Sequence, residues 1–303
     1  MVSLEVLRNS VTGRIALNEP LSQHTWIKIG GPADYYVEPA SVDELITIMK
    51  VVRTSGLPFM LVGRGSNILV SDAGYRGVVI NLEEGVNAVA LDGDMVRAEA
   101  GLRITKFVDF CVQHAFAGVE MLAGIPGTMG GAVTMNAGAH GGETADHLVD
   151  VDVLRGEKVV RVPKAECGFA YRRSAIEGDL LVAARFKMEK GDKDALMRKR
   201  KELIQKRNAT QPLELPNLGS MFKNPAGNFA ARLIETAGLK GKRIGDAQVS
   251  EKHANFFVNH GGASSSDVMT LVDLVKRTVY QNSGVHLELE VRLIGFDMQG
   301  PAS

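Results

Sequence analysis

The chain has 303 residues, 35 basic and 35 acidic side chains, and a formal net charge of zero at pH 7. That balance excludes the whole-chain basic footprint of a nucleic-acid binder, while 45% hydrophobic residues suffice for a sizeable core in one large or two medium domains. Glycine is the anomaly: 33 residues, eight of them within 118–142, or about 11% of the chain against a usual value of about 7%. Either that segment is a floppy linker or its backbone lies against a ligand. Cys111 and Cys167 are too few for a disulfide framework or a zinc site, so no metal is expected. Met1–Glu5 lacks the basic start and apolar run of a signal peptide. No apolar stretch approaches the roughly 18 residues of a membrane span. The expectation is a protein of the reducing cytoplasm, with no membrane or nucleic-acid partner.

In chain order, Ser41-Val42-Asp43-Glu44 reads as a capping box opening a helix with the stripe Leu45, Ile48, Met49 and Val52, stopped at Gly56. A short strand, 59–62, runs into Gly63-Arg64-Gly65-Ser66-Asn67. Further strands are expected at 78–82, 86–91 and 95–98, and a helix over 103–117 with Ile104, Phe107, Val108, Cys111 and Val112 on one face. The valines at 149–153 and 159–162 around Arg155-Gly156-Glu157 predict a hairpin, and 180–188 a strand. Residues 189–207 are dense in charge over a thin face of Leu196, Leu203 and Ile204, a solvated connecting helix rather than a nucleic-acid helix. The domain boundary is placed there: 1–190, in two parts of about 1–75 and 76–190, then 191–303. Beyond it come a helix over 229–238, a strand over 254–259, a helix over 265–282, and a final strand. In that strand Leu287, Leu289, Val291 and Leu293 alternate with His286, Glu288, Glu290 and Arg292. The last strand is expected to pack back on the first domain.

Gly63-Arg64-Gly65-Ser66-Asn67 follows a buried strand, and two glycines with positive φ would turn backbone N–H groups toward an anion such as pyrophosphate. Ile68 occupies the third glycine position of the dinucleotide fingerprint, and the GxxxxGK[ST] pattern is absent. The second segment, 124–142, interleaves glycines with Ile125, Pro126, Met129, Val133 and Met135. Residues that want burial argue for an ordered backbone with side chains removed on one side, suited to a large flat ligand, and against a linker.

These two loops, with Ile29-Gly30-Gly31-Pro32-Ala33-Asp34, resemble the FAD-binding half of the UDP-N-acetylenolpyruvoylglucosamine reductase family. Tyr171-Arg172-Arg173-Ser174, Gly219-Ser220-Met221-Phe222-Lys223-Asn224-Pro225, His253-Ala254-Asn255-Phe256 and Glu290-Val291-Arg292-Leu293-Ile294-Gly295 resemble its substrate and catalytic blocks in the same order. The resemblance implies an α+β chain. It would hold a flavin domain of the PCMH/vanillyl-alcohol-oxidase type and a C-terminal α/β substrate-binding domain. It implies non-covalent FAD and NADPH as co-substrate. The reaction would reduce UDP-N-acetylglucosamine enolpyruvate to UDP-N-acetylmuramate in peptidoglycan precursor synthesis, in a monomer or weak oligomer. Flavin contacts would fall on Gly63, Arg64, Gly65, Ser66 and Asn67, and on Ile125, Pro126, Gly127, Thr128, Gly130, Gly131, Ala132, Met135, Asn136, Ala137 and Gly138. Arg172 is followed within a few residues by the strand 180–188 and the charged helix, so the chain resembles the shorter, second class without the substrate-closing tyrosine loop.

An enolpyruvyl ether that accepts hydride at its terminal carbon leaves carbanion character beside the carboxylate, which needs a proton and charge stabilisation. By the resemblance Ser220 supplies the proton, Gly219 permits close approach, and Arg172 binds the carboxylate in bidentate fashion. Glu290 assists protonation or orients the intermediate, Lys223 and Asn224 lie near the substrate diphosphate, and Tyr171 packs beside the arginine. His253 reads as a structural histidine. Two other readings are a flavin oxidase of the same superfamily, with His140 a weak candidate for tethering flavin, and a silent UDP-sugar sensor.

Overall fold

The computed structural model describes residues 11–296. The Met1–Glu5 signal-peptide reading and the outer ends of both expected domains lie outside the described residues. The chain divides into two compact units: 1–17, 35–64 and 77–207 form the first, and 18–34, 65–76 and 208–303 the second. No helix among the described residues is long and apolar enough to cross a membrane.

In the first unit Phe59–Val62 pairs in parallel with the strand Tyr75–Asn81, Phe59 opposite Val78. An antiparallel five-stranded sheet runs in the order Lys158–Pro163, Leu148–Arg155, Leu180–Phe186, Met95–Glu99, Val89–Asp92. The predicted hairpin closes at Arg155 opposite Lys158, with Gly156 at φ 63° supplying the left-handed turn. The helix Ile104–Gln113 buries all five residues of its predicted stripe in the same core as Leu154, Leu181 and Phe186. Arg185 is 4% exposed and bonds Asp150, Asp152 and Asp92 at 2.7–2.9 Å, so this buried guanidinium is neutralised on three sides.

The helix Val42–Ser55 starts and stops as its sequence dictates, with Ser41 Oγ accepting from Glu44 N–H and Gly56 left-handed at φ 65°. The reciprocal half of the box does not form. The Glu44 carboxylate instead accepts from the N–H groups of Ala40, Thr12 and Gly13 and from the Thr12 hydroxyl, because four donors outcompete a single one. Burial raises the Glu44 pKa, but those donors more than reverse it and hold the group at about 2. A depressed carboxylate stabilises above its unfolded value of 4.5 and loses that contribution as pH falls through about 2. The stability gap between wild type and Glu44→Gln in urea unfolding is therefore expected to be constant from pH 7 to 5. It should then shrink steadily below about pH 4.5; a gap unchanged at pH 3 would refute this.

The boundary lies further along than the composition shift suggested. The helix Lys193–Thr210 is charged on its outside, yet Leu196 and Leu203 are buried in the first core with Ile204 packed against it. Two or three apolar contacts decide which unit a helix joins, and charge density does not, so the first unit runs to Arg207.

The second unit has its own core, built from Ile27, Leu69, Phe222, Ile234, Phe257, Leu271 and Val275 among others. Its antiparallel sheet runs Asn217–Ser220, Phe256–Asn259, Ala247–Val249, Arg243–Ile244. The helix Ser265–Ser283 carries the full capping box from Ser264 and Asp267 and ends on left-handed Gly284. Its first turn is capped again by Asp72, whose carboxylate accepts from Ser265 and Ser266 N–H at 2.9 and 3.3 Å. The final strand is short, Arg292–Ile294, and pairs in parallel with Ile68–Val70, which belongs to this same unit. Its partner strand lies within the 1–190 span on which it was expected to pack, but residues 65–76 themselves fold with the second core. The alternation upstream survives as burial, Leu287 and Val291 inside and His286 and Glu288 outside.

Candidate active site

The predicted site residues fall in both units. Gly63, Arg64, residues 125–138, Tyr171 and Arg172 belong to the first; Gly65, Ser66, Asn67, Gly219, Ser220, Lys223, Asn224 and Glu290 belong to the second.

In the first unit the second glycine segment is ordered by backbone pairing. Ile104 N–H donates to Gly127 O, Met129 N–H to Leu102 O and Gly130 N–H to Ala100 O, at 2.7–3.1 Å. Thr128 is buried and bridges Arg103. The two glycine loops meet here, since a Cβ on Gly63 would lie 2.5 Å from Thr128 Oγ1. Gly63 is thus required by close approach, and of the two glycines in its loop only Gly65 has positive φ, 58°. Asn81, which sequence reading passed over, donates from Nδ2 to Gly63 O at 3.3 Å, and Glu83 joins Arg64 and Arg103. Gly130 is excluded from growing by Ala100, 3.0–3.1 Å from any Cβ. Gly131 is different: it is exposed, has no positive φ, and a Cβ there would meet only Thr128 Oγ1 at 3.9 Å. A helical glycine costs about 1 kcal/mol relative to alanine, and no protein atom explains the omission. In the same segment Ile125, Pro126, Met135 and Ala137 are half-buried, and Ala132 is buried.

Asn136, buried and left-handed at φ 44°, ties this segment to the Tyr-Arg block. Its Nδ2 donates to Glu143 Oε2 at 2.7 Å and to Ala170 O at 3.2 Å, and its Oδ1 accepts from Ala145 N–H. Ala170 and Arg173 exchange both backbone bonds, leaving Tyr171 and Arg172 as the two residues of a tight turn. Arg172 sits at φ 57°, an uncommon place for a non-glycine residue, and the turn lifts its side chain over the Tyr171 ring at 5.0 Å. Arg172 Nη2 also donates to Gly138 O at 3.1 Å. The expected packing of Tyr171 with the arginine is thus present as a cation–π contact.

In the second unit the strand Asn217–Ser220 is bulged at Gly219, φ 71°. A bulge re-aims the next side chain, here Ser220. A Cβ on Gly219 would come no nearer than 3.9 Å to Ser66 O. Asn217 Oδ1 holds the Gly219 N–H at 3.0 Å. Met221 O then accepts from Glu290 N–H at 2.9 Å, Lys223 N–H donates to Glu288 O, and Phe222 bridges Leu289, so residues 221–223 run antiparallel to 288–291. Asn67 closes the arrangement, donating from Nδ2 to Glu290 O at 3.1 Å and accepting from Arg292 N–H at 3.0 Å. Ser220, Glu290 and Asn67 are therefore joined through neighbouring backbone groups, although they are up to 223 residues apart. Lys223 pairs with exposed Glu288 at 3.4 Å, and Asn224 Oδ1 accepts from Ala230 N–H at the start of the helix Ala230–Thr236.

Asn255 was quoted in a motif but given no role. It is 3% exposed and brackets Phe222, with Oδ1 accepting from its N–H at 3.0 Å and Nδ2 donating to its O at 2.8 Å. The readable signal was an amide side chain inside an apolar strand region, where asparagine is disfavoured unless it bonds backbone. His253 stacks edge-on to Phe256 at 4.7 Å and accepts at Nδ1 from Asn255 N–H, and burial lowers its pKa. It is a neutral structural histidine, as read. His140 lies at the turn between Gly138–Ala139 and Gly142–Glu143.

A family model described as "FAD binding domain" matches residues 33–161, and one described as "UDP-N-acetylenolpyruvoylglucosamine reductase, C-terminal domain" matches 211–294. The chain is 45% identical over 286 residues to UDP-N-acetylenolpyruvoylglucosamine reductase 2 of Symbiobacterium thermophilum, covering 93% of each. It is 44% identical over 302 residues to UDP-N-acetylenolpyruvoylglucosamine reductase of Lachnoclostridium phytofermentans, covering 97% of each. The crystal structure of the Thermus caldophilus UDP-N-acetylenolpyruvylglucosamine reductase superposes with a TM-score of 0.80 at 35% identity, covering 93% of this chain and 98% of that one.

Proposed function

The chain belongs to the UDP-N-acetylenolpyruvoylglucosamine reductase family, and from that premise we propose how its residues divide the reaction. It is a flavin-dependent oxidoreductase, with the PCMH-type flavin domain and C-terminal domain of that family, and it reduces UDP-N-acetylglucosamine enolpyruvate to UDP-N-acetylmuramate. The residues present fit a flavin: bare Gly131 leaves room that no protein atom fills, beside loops held rigid by Thr128, Asn81 and Asn136. When bound, FAD supplies the hydride, which NADPH provides in turn.

Arg172 takes the substrate carboxylate, and its charge stabilises the negative charge that grows there as the terminal carbon receives hydride. Ser220 then gives its hydroxyl proton to the adjacent carbon, and the alkoxide recovers a proton from solvent. An alcohol is a weak acid, but a carbanion beside a carboxylate is a far stronger base than an alkoxide. Glu290 orients the serine segment through its backbone bond to Met221. The observation that carries the assignment is the bulge at Gly219, locked by Asn217, immediately before Ser220.

The purified protein is expected to be yellow and to oxidise NADPH only when UDP-N-acetylglucosamine enolpyruvate is added, followed at 340 nm. Rapid oxygen consumption without that substrate would replace this reading with an oxidase.

A further inference from the structure

Within the first unit, hydrogen bonds at Thr134, Asn136 and Gly138 tie the second glycine segment to the turn that carries Arg172. Ser174 Oγ, buried, donates at 2.7 Å to Thr134 O, the last residue of the short helix Met129–Thr134. Arg172 Nη2 donates to Gly138 O at 3.1 Å. Between these two, Asn136 Nδ2 donates to Ala170 O at 3.2 Å. Every second residue from 134 to 138 thus holds the turn, so this segment sets where Arg172 can sit.

The resemblance places Asn136 among the flavin contacts, but its side chain is committed elsewhere. It is 1% exposed, and both Nδ2 hydrogens are used, one toward Glu143 Oε2 at 2.7 Å and one toward Ala170 O. Its Oδ1 accepts from Ala145 N–H at 3.0 Å. A backbone N–H requires the oxygen and a backbone C=O the nitrogen, so the amide has one orientation. Glu143 is fixed in turn by Asp146, which donates its N–H to the Glu143 carboxylate and accepts from Glu143 N–H at 2.8 Å. At φ 44° glycine would fit Asn136's place with less strain. What glycine lacks is the amide.

The carbonyl that the amide holds is the base of the turn. Ala170 O also accepts from Arg173 N–H at 3.1 Å, so both of its lone pairs are occupied. A carbonyl pinned from two sides resists rotation of the 170–171 peptide, and that rotation would swing the guanidinium at the end of its long side chain. We propose that Asn136 is a positioning residue for Arg172: its amide locks the turn so that the guanidinium meets the substrate carboxylate, and its side chain makes no contact with flavin. This rests on the role given to Arg172 above.

The test is a double-mutant cycle on the flavin-loaded enzyme, with Asn136→Gly, Arg172→Ala and the two combined. Glycine adopts φ 44° freely, so this change removes the amide and spares the backbone. Flavin reduced beforehand is mixed anaerobically with the UDP-substrate, and its return to yellow is followed by stopped flow. Asn136→Gly is expected to slow that step about tenfold or more, as a guanidinium displaced by about 1 Å would. FAD retention on dilution and flavin reduction by NADPH should stay as in wild type. In the Arg172→Ala background the same change should slow the step no further, because there is no guanidinium left to place. A loss that multiplies in full with that of Arg172→Ala would overturn the inference, and so would a wild-type rate in folded Asn136→Gly. Weakened FAD retention would return Asn136 to the flavin contacts and overturn it likewise. Should Asn136→Gly not fold, the cycle is run with Asn136→Asp, which has nearly the same shape, tolerates left-handed backbone and loses both donors. Arg172→Ala alone returning to yellow at the wild-type rate would remove the role of Arg172 itself, and the inference with it.

Discussion

Replacing Ser220 by alanine is expected to leave reduction of the flavin by NADPH at its normal rate and to slow product formation by about 10² to 10⁴-fold, the usual contribution of a positioned general acid. Flavin reduction makes no demand on a proton at the substrate carbon, so only the second half of the cycle should suffer. The loss should appear in kcat and in kcat/KM for the UDP-substrate alike, because the proton is needed only after substrate is bound. Stopped-flow absorbance of the flavin separates the halves: normal bleaching with NADPH, then slow return of the yellow colour when substrate is mixed in. The structure also makes the substitution conservative for the fold. Ser220 is half-buried at the end of a bulged strand, and the backbone bonds of Gly219 and Met221 do not involve its hydroxyl. Turnover of the variant at the wild-type rate would remove Ser220 from the role of donor and shift attention to Glu290.

How far this was readable from the sequence depended on where each signal was local. The helix Val42–Ser55 announced itself because its cap, stripe and stop lie within sixteen residues, and the start of Ser265–Ser283 did so through the local Ser264 and Asp267 pair. The interleaving of the two units had no such signal. Residues 65–76 join the second core through contacts such as Asp72 with Ser265, 193 positions away, and no periodicity encodes a partner at that distance. The same limit applied to the last strand. Its alternation was real, but residues 288–291 bond irregularly to 221–223, and only Arg292–Ile294 pairs as a strand. In the site, glycine positions could be found but not always explained. Gly63 was attributed to positive φ and owes its identity to Thr128, a residue of the other loop. Asn217 and Asn255 carried even less, since an asparagine that holds backbone looks, in one dimension, like any polar residue.

Asn255 is where this hidden layer should matter most. Truncation to alanine strands the Phe222 N–H and C=O together inside the second core, where Phe222 has no exposed surface. Each buried group left unsatisfied costs about 1–3 kcal/mol, so urea unfolding of Asn255→Ala is expected to show a loss of about 3 kcal/mol. That is a large fraction of the roughly 5–15 kcal/mol available to a folded domain. The damage should not stop at stability. Met221 and Phe222 are the residues against which Glu290 and Leu289 are registered, so any shift of that segment moves Ser220 and Glu290 together. In the folded variant, measured below its transition, product formation should drop about tenfold while NADPH reduces the flavin normally, since a misplaced donor of 1 Å can cost up to about 10²-fold. A purely structural asparagine would give the stability loss with kcat intact. A stability change below about 1 kcal/mol would show that solvent or a relaxed backbone satisfies Phe222, and the bracketing role would then have to be given up.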